Sequence, residues 1–323
     1  MERKEGPIFL GGVIRAGAIL TFTFLFVALI PLVGPIFVIL TPLPVLYYCS
    51  RLGRVRGFTV LSIAYSAAFV ILGLLGKSPD QSLMFTIGFT GVLLSEILRQ
   101  HASVERTFLL ASSALFCCGA GLVLYHSYQA GIEPWRMVEL RVAEVVRENI
   151  KLSAQLNIPE EQVRLIRESA PQIIQLLTGI FPALALSGAI FMVWLNLLAG
   201  RLLFRMNGLS FPDFGDLTAW KSPERLVWIL IAAGIAVFLI PVEGVAIVAI
   251  NILILCGLVY LFQGLAIIAF FFRQKRVPLF FQGLFYALLL AQIYMLVIII
   301  ALGLFDIWVD FRKRIGGIGN VPV

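Results

Sequence analysis

Long runs of apolar residues, each about the length of a membrane-crossing helix, fill most of this sequence. A helix needs about 20 apolar residues to cross the hydrocarbon core of a bilayer. Runs of this kind recur from Ala16 to Phe305, separated by polar loops. The chain is 60% hydrophobic and 13% charged, whereas a soluble domain is about 25% charged. The sequence therefore predicts an all-α, polytopic transmembrane helical bundle, and excludes a cytosolic enzyme, a disordered chain and a secreted disulfide scaffold.

The apolar runs define nine candidate spans, or eight if the first two form one crossing with a re-entrant piece. Pro31, Gly34 and Pro35 divide the first two runs and do not allow one straight helix there, so we predict a hairpin of two short or broken spans. The nine candidates are Ala16–Val33, Pro35–Tyr48, Gly57–Leu75, Gln81–Leu98, Thr107–His126, Pro171–Phe204, Leu226–Ile240, Gly244–Phe272 and Leu279–Phe305.

Basic residues are concentrated in alternate loops, which orients the predicted spans. Cytoplasmic loops carry an excess of Lys and Arg. We therefore expect a protein of the bacterial inner (cytoplasmic) membrane whose N-terminus is cytoplasmic, together with the loops Arg51–Arg56, Arg99–Arg106, Arg201–Arg225 and Arg273–Arg276. Nine spans would place Arg312–Arg314 on the other side, which leaves the side of the C-terminus open. Orientation and anionic lipid explain the net charge of +7, so we expect no nucleic-acid partner.

One polar insert, Ser127–Ala170, interrupts what we predict to be a single integral membrane domain over residues 1–323. Apolar residues from Trp135 to Ile150 recur at helical spacing, and Asn157 with Pro159 marks a second helix start. This pattern predicts an amphipathic helical hairpin outside the bilayer. It would lie on the outer membrane surface and pack on the bundle, or act as a lid over an outward-facing cavity.

The sequence contains no motif for catalysis, nucleotide binding or a cofactor. His101 and His126 lie at opposite ends of spans, and His126 is interpreted as an interfacial residue. The four cysteines lie in apolar runs and form no CxxC pair. We therefore expect no enzyme, no catalytic residues, no cofactor and no metal site.

Polar residues inside the predicted spans are the candidate functional residues, because they are costly in lipid and often line binding sites. The candidate cavity residues are Asn196, Asn251, Gln263, Gln292 and Tyr294. The alternative is that such amides only form hydrogen bonds between helices. At the C-terminal end, Asp306 and Asp310 are four residues apart and predicted to share a helix face. With Arg312 nearby, we interpret them as a salt-bridged interfacial anchor rather than a cation site.

Several short motifs resemble the YybS-type family of bacterial predicted membrane proteins, a domain of unknown function. The motifs are Asn251, Tyr260–Ala266, Gly303–Asp306 and Asp310–Arg312, with Thr41–Pro44, Gly53, Trp220, Ser222–Pro223 and Trp228. The family is distantly similar to the substrate-binding membrane components of energy-coupling-factor vitamin transporters. The resemblance implies a helical bundle with an outward-facing cavity for a small molecule, and it implies no catalytic residues.

Two hypotheses about function follow from these observations. The first is a transport component in the lipid bilayer that binds a small organic solute and, lacking an ATP-binding motif, needs a separate energising partner subunit. The second is a non-transporting membrane scaffold or assembly factor. It would dock a partner protein through Ser127–Ala170 or through the loop Arg201–Arg225.

Overall fold

The protein is described by a computed structural model over residues 7–29, 38–78, 80–100, 103–155 and 159–316. Every regular element in these ranges is helical, which confirms the all-α prediction. The helices are α1 (Pro7–Leu29), α2 (Pro42–Leu52), α3 (Arg54–Leu74), α4 (Gln81–Arg99), α5 (Val104–Ala130), α6 (Pro134–Gln155), α7 (Glu160–Glu168), α8 (Ala170–Met206), α9 (Leu226–Leu239), α10 (Glu243–Gln274), α11 (Leu279–Ala291), α12 (Ile293–Val309) and α13 (Phe311–Gly316). A 3₁₀ turn, Leu217–Ala219, precedes α9.

Six helices of the described residues are long and apolar enough to cross a membrane, so the prediction of eight to nine spans is not confirmed. The six are α1, α3, α4, α5, α8 and α10. At 1.5 Å per residue, α2 is only ~16 Å long and α9 only ~21 Å, against a hydrocarbon core of about 30 Å. These two helices correspond to the predicted spans Pro35–Tyr48 and Leu226–Ile240, and both are shorter than the core.

The last predicted span, Leu279–Phe305, is not one straight helix. It is divided into α11 and α12, which are bent by 107° at a break around Gln292 and together are apolar enough for a seventh span. At the N-terminal end, the predicted breakers Pro31, Gly34 and Pro35 lie outside the described residues.

The chain forms two compact units. Unit 1 contains Met1–Val138 and Gly188–Asp213, and unit 2 contains Glu139–Ser187 and Phe214–Val323. The first boundary falls within α6 and the second within α8. The prediction of a single integral membrane domain stays a prediction.

In unit 1, α2 packs against α3 and α4 through two glycines. A Cβ added to Gly57 would lie 2.8 Å from the Cα of Cys49, and one added to Gly91 would overlap Val45. Because glycine has no Cβ, the helix backbones can approach this closely. Asp80 caps α4 by accepting a hydrogen bond from the backbone N–H of Leu83 at 3.0 Å.

In unit 2, α10 is the central helix and packs against α9 and α12. Its closest approach to α12 is at Gly264 and Gly303. A Cβ on Gly303 would overlap the carbonyl oxygen of Tyr260, and one on Gly264 would overlap the carbonyl of Ile299. This contact brings polar residues of both helices within hydrogen-bonding distance of each other.

The polar insert contains the two helices that the sequence predicts. Val146 and Ile150 of α6 pack with Val163 of α7, and Ile173 and Leu177 at the start of α8 lie against them. The second helix ends at Glu168, and only Ser169 separates it from α8. Asn157, its predicted cap, lies outside the described residues, and Pro159 precedes the helix.

Candidate functional site

Four buried polar side chains of unit 2 form one hydrogen-bonded group, which we call the Asp306 cluster. Gln263 lies on α10, Asp306 near the end of α12 and Arg312 in the first turn of α13. Ser222 lies in the connection that leads to α9. All four are buried, with exposed fractions of 8% or less. Polar groups this deeply buried must be paired with one another to be tolerated.

Gln263 is the centre of the cluster because both the nitrogen and the oxygen of its side-chain amide form hydrogen bonds. Its nitrogen donates to Oδ2 of Asp306 at 3.0 Å. Its oxygen accepts from the backbone N–H of Ser222 at 3.1 Å and from the Ser222 hydroxyl. Asp306 also accepts from the backbone N–H of Phe311 at 2.8 Å, through Oδ1. The carboxylate therefore receives hydrogen bonds at both oxygens.

The Arg312 guanidinium connects the cluster to the connection before α9. Its Nη1 lies 3.1 Å from Oδ2 of Asp306, in a buried ion pair. Its Nη2 donates to the carbonyl of Trp220 at 2.8 Å, and its Nε donates to the carbonyl of Thr218 at 3.1 Å. Burial lowers the pKa of Arg312 from its ordinary value, although nearby carboxylates, Asp306 foremost, act in the opposite direction.

A rim of more exposed ion pairs surrounds the cluster. Asp310 lies 3.2 Å from Lys221 and 3.1 Å from Lys313, and Asp216 lies 2.8 Å from Arg273. Although burial acts to raise the pKa of Asp310, hydrogen bonds from Lys313 and Lys221 hold it below its ordinary value. The pKa of Asp216 is likewise lowered, because hydrogen bonds from Arg273 and Thr218 outweigh the effect of burial.

The Asp306 cluster connects four segments of the chain by hydrogen bonds. Each of its side chains has a hydrogen-bond partner inside the protein, so the arrangement joins α10, α12, α13 and the connection before α9. A buried ion pair stabilises little relative to apolar packing, but it becomes costly when one partner is removed. We therefore assign the cluster to holding these four segments in one arrangement.

The structure pairs Asp306 and Arg312 but separates the predicted Asp306–Asp310 face. Helix α12 ends at Val309, and Asp310 takes a left-handed conformation with φ 45°. Asp310 therefore leaves the helix and turns toward the rim. The prediction that Asp306 and Asp310 share one helix face assumed that the helix continues through Asp310, and the spacing of the two residues does not show where the helix ends.

Asn251 on α10 lies against the proline of α8. Pro182 has no N–H and interrupts the hydrogen bonds of its helix. The Asn251 side chain donates to the carbonyl of Gly179 at 2.9 Å and accepts from the backbone N–H of Ala183 at 2.9 Å. These are the two groups that an undistorted α-helix pairs with each other. A second donation to Ile247 at 2.8 Å completes its bonds.

Asn196, in the part of α8 that belongs to unit 1, is fully buried. Its nitrogen donates to the carbonyl of Ile39 at 2.6 Å and to that of Met192 at 2.8 Å. Its oxygen has no partner within the described part of the chain. Asn196 therefore links α8 to the backbone just before α2.

Gln292 and Tyr294 lie at the break between α11 and α12, and both are exposed. The backbone of Gln292 is extended, with φ −124° and ψ 104°. Neither side chain forms a hydrogen bond with any residue that the structure describes. They differ in this respect from Asn196, Asn251 and Gln263, whose amides are engaged inside the protein.

The five predicted cavity residues thus lie at four separate places in the structure. Of these five, only Gln263 belongs to the same hydrogen-bonded group as the predicted anchor residues Asp306 and Arg312. The sequence interpretation missed Ser222 and the carbonyls of Thr218 and Trp220. Backbone carbonyls leave no signal in a sequence. Trp220 and Ser222 were noted only as part of the family motifs, and that resemblance was the available signal for this segment. It also missed a pair in unit 1, in which the Ser82 hydroxyl lies 2.7 Å from Nε2 of His126. Within the described ranges, no three His, Cys, Asp or Glu side chains could hold a metal ion together.

Helices of membrane-crossing length, tied together by buried polar side chains, define a multi-helix membrane protein. Residues 18–307 match the family described as "Predicted membrane protein (DUF2232)", and the chain belongs to this family. It is similar to the uncharacterized protein YybS of Bacillus subtilis (strain 168). The two are 23% identical over 274 residues, which cover 81% of this chain and 85% of that protein. No solved structure matches the chain.

Proposed function

We propose that this membrane protein is a transport component that binds a small organic solute at the break between α11 and α12. The observation that carries the proposal is the bend of 107° at Gln292, near the middle of the apolar segment Leu279–Val309. Non-helical backbone at membrane depth is tolerated where it is buried in protein or lines a water-filled cavity. Discontinuous helices of this kind form the binding sites of many transporters.

The break offers hydrogen-bonding side chains to a solute. Its backbone is partly paired, since the N–H of Gln292 donates to the carbonyl of Leu288 at 2.9 Å and the N–H of Met295 donates to the carbonyl of Gln292 at 3.0 Å. The side chains of Gln292 and Tyr294 are exposed beside them. Among the five predicted cavity residues, these two are the ones whose side chains remain available to a solute.

The proposal includes the wider setting predicted from the sequence. The protein would lie in the bacterial inner membrane with a cytoplasmic N-terminus, and a separate subunit would supply energy. The similarity to substrate-binding components of energy-coupling-factor transporters stays a prediction. It is consistent with a solute-binding role that depends on a partner.

Native mass spectrometry of the purified full chain tests the proposal. We expect a retained mass of small-molecule size on the wild-type protein, and its loss from Gln292→Leu and Tyr294→Phe. Gln155→Leu, which removes an exposed amide from α6, should retain the mass. A wild-type protein without such a mass after purification in mild detergent would contradict the proposal, and so would equal retention by the Gln292 and Gln155 variants.

A second candidate function is a scaffold that docks a partner protein on the polar insert. It is favoured by exposed apolar side chains on α6 and α7, namely Val145, Leu152, Leu165 and Ile166. A partner that co-purifies at stoichiometric amounts with wild type and with Gln292→Leu, but not with Leu152→Glu/Leu165→Glu, would favour this function. Exposed apolar side chains can mark a protein-binding surface. Leu152 and Leu165 lie outside the small core of the hairpin, so replacing them tests this surface without changing that core.

A further inference from the structure

Three chain segments come together at one end of unit 2, which we call the basic end: residues 214–225, 273–276 and 306–314. The Arg273–Asp216 ion pair joins the second segment to the first at 2.8 Å. The Lys221–Asp310 pair joins the first to the third at 3.2 Å. The Asp306 cluster lies beneath these two pairs. The tertiary structure therefore collects charges that the sequence places up to about a hundred residues apart.

The basic end carries eight basic and four acidic side chains. Four of the basic residues form ion pairs with Asp216, Asp306 and Asp310. The other four are exposed and form no ion pair within the described residues: Arg225, Lys275, Arg276 and Arg314. Their charges are available to an anionic partner.

Arg276 is held in a backbone conformation that disfavours it. Its φ is 50°, in the left-handed region that glycine occupies most easily. Its N–H donates to the carbonyl of Arg273 at 3.2 Å and closes the end of α10. Glycine would end this helix with less strain. Despite this backbone strain, the residue at this position is an arginine, and its side chain is exposed.

Exposed tryptophans accompany these cations. Trp228 at the start of α9 is 70% exposed and Trp308 at the end of α12 is 62% exposed. Both terminate strongly apolar helices, and Phe305 lies beside Trp308 with ring centroids 6.2 Å apart. Tryptophan is enriched at the level of the lipid headgroups. Trp228 follows Arg225 by three residues and Trp308 precedes Arg314 by six, so two of the unpaired cations are close along the chain to side chains typical of the membrane–water interface.

We propose that the basic end of unit 2 binds the phosphate headgroups of anionic phospholipids through Lys275, Arg276 and Arg314. Charge complementarity selects an anion. Lys275 and Arg276 directly follow the apolar helix α10, and Arg314 lies six residues after the exposed Trp308, which favours a lipid over a free phosphate in water. Basic residues next to membrane helices attract anionic lipid by about a factor of five per charge.

Native mass spectrometry of the full chain in detergent, titrated with phosphatidylglycerol or phosphatidylcholine, tests this inference. We expect tighter binding of phosphatidylglycerol, and at least about tenfold weaker binding of it by Lys275→Gln/Arg276→Gln/Arg314→Gln. The control Arg147→Gln/Lys151→Gln/Arg167→Gln removes the same charge from exposed positions of the insert and should bind as wild type does. A variant with each Lys changed to Arg and each Arg to Lys at positions 275, 276 and 314 should also retain binding.

Three results would overturn the proposal. Equal binding of the two lipids would show that the headgroup charge is not recognised. Equal losses in the triple variant and in the insert control would show a general charge effect. Displacement of phosphatidylglycerol by millimolar inorganic phosphate would identify free phosphate as the ligand. If the triple variant does not purify as a folded protein, Arg314→Gln alone against Arg167→Gln makes the same comparison, and equal affinities would again overturn it.

Discussion

Replacing Arg312 by methionine should destabilise the protein strongly, because it leaves a buried carboxylate without its counter-ion. Methionine keeps most of the volume of the side chain and removes the charge. Asp306 would keep the hydrogen bonds from Gln263 and from Phe311, but the carbonyls of Thr218 and Trp220 would lose their donor. Removing one partner of a buried ion pair costs about 3–5 kcal/mol, so we expect a loss of this size.

A double-mutant cycle measures how much of this loss comes from the ion pair. Unfolding of wild type, Arg312→Met, Asp306→Asn and the double variant is followed by denaturant titration in mixed micelles. We expect the double variant to be less destabilised than the sum of the single variants, with a coupling of about 1–3 kcal/mol.

The Arg164–Glu168 pair is a matched exposed control, with its side chains 67% and 63% exposed. Arg164→Met should cost no more than about 1 kcal/mol. Strictly additive losses in the cycle, or an Arg312→Met cost as small as that of the control, would refute the reasoning.

Three further predictions follow from the structure. Gly303→Leu should destabilise unit 2 by at least about 1–3 kcal/mol, because the leucine side chain would overlap the backbone of α10. Denaturant titration measures this loss, and an unchanged free energy of unfolding would contradict the close packing of the two helices. Asn251→Leu should cost about 1–3 kcal/mol in the same assay, because two backbone groups of α8 lose their partner, and unchanged stability would show that they find another. Because the pKa of Asp310 is lowered in the folded protein, its ionised carboxylate stabilises the folded state at pH values above its ordinary pKa of 3.8. This stabilisation should be lost as the pH falls below about 4. Asp310→Asn should therefore flatten this part of the stability–pH curve.

The orientation predicted from the loop charges has its own test. Cysteine at position 148 should react with an impermeant maleimide added outside whole cells, and cysteine at position 275 should react only after permeabilisation. Both positions are exposed, so accessibility in the folded chain does not limit the reaction. Labelling of position 275 from outside would overturn the orientation.

The helical class and most helix positions could be read from the sequence. Apolar length is a local property, and lipid requires every backbone polar group to be satisfied within the helix itself. The predicted spans Gln81–Leu98 and Gly244–Phe272 accordingly lie within one or two residues of α4 and α10 at each end. The helices of the insert were also predicted, since amphipathic periodicity is local too.

The break at Gln292 and the partners of the buried amides were decided by the tertiary structure. No proline or glycine marks Ala291–Ile293, so no local rule predicts the bend between α11 and α12. Gln263 meets Ser222 across 41 residues and Asp306 across 43. Such pairings depend on how closely α10 and α12 approach at their glycines. A sequence identifies which residues need a partner in lipid, whereas helix packing determines which partner each one receives.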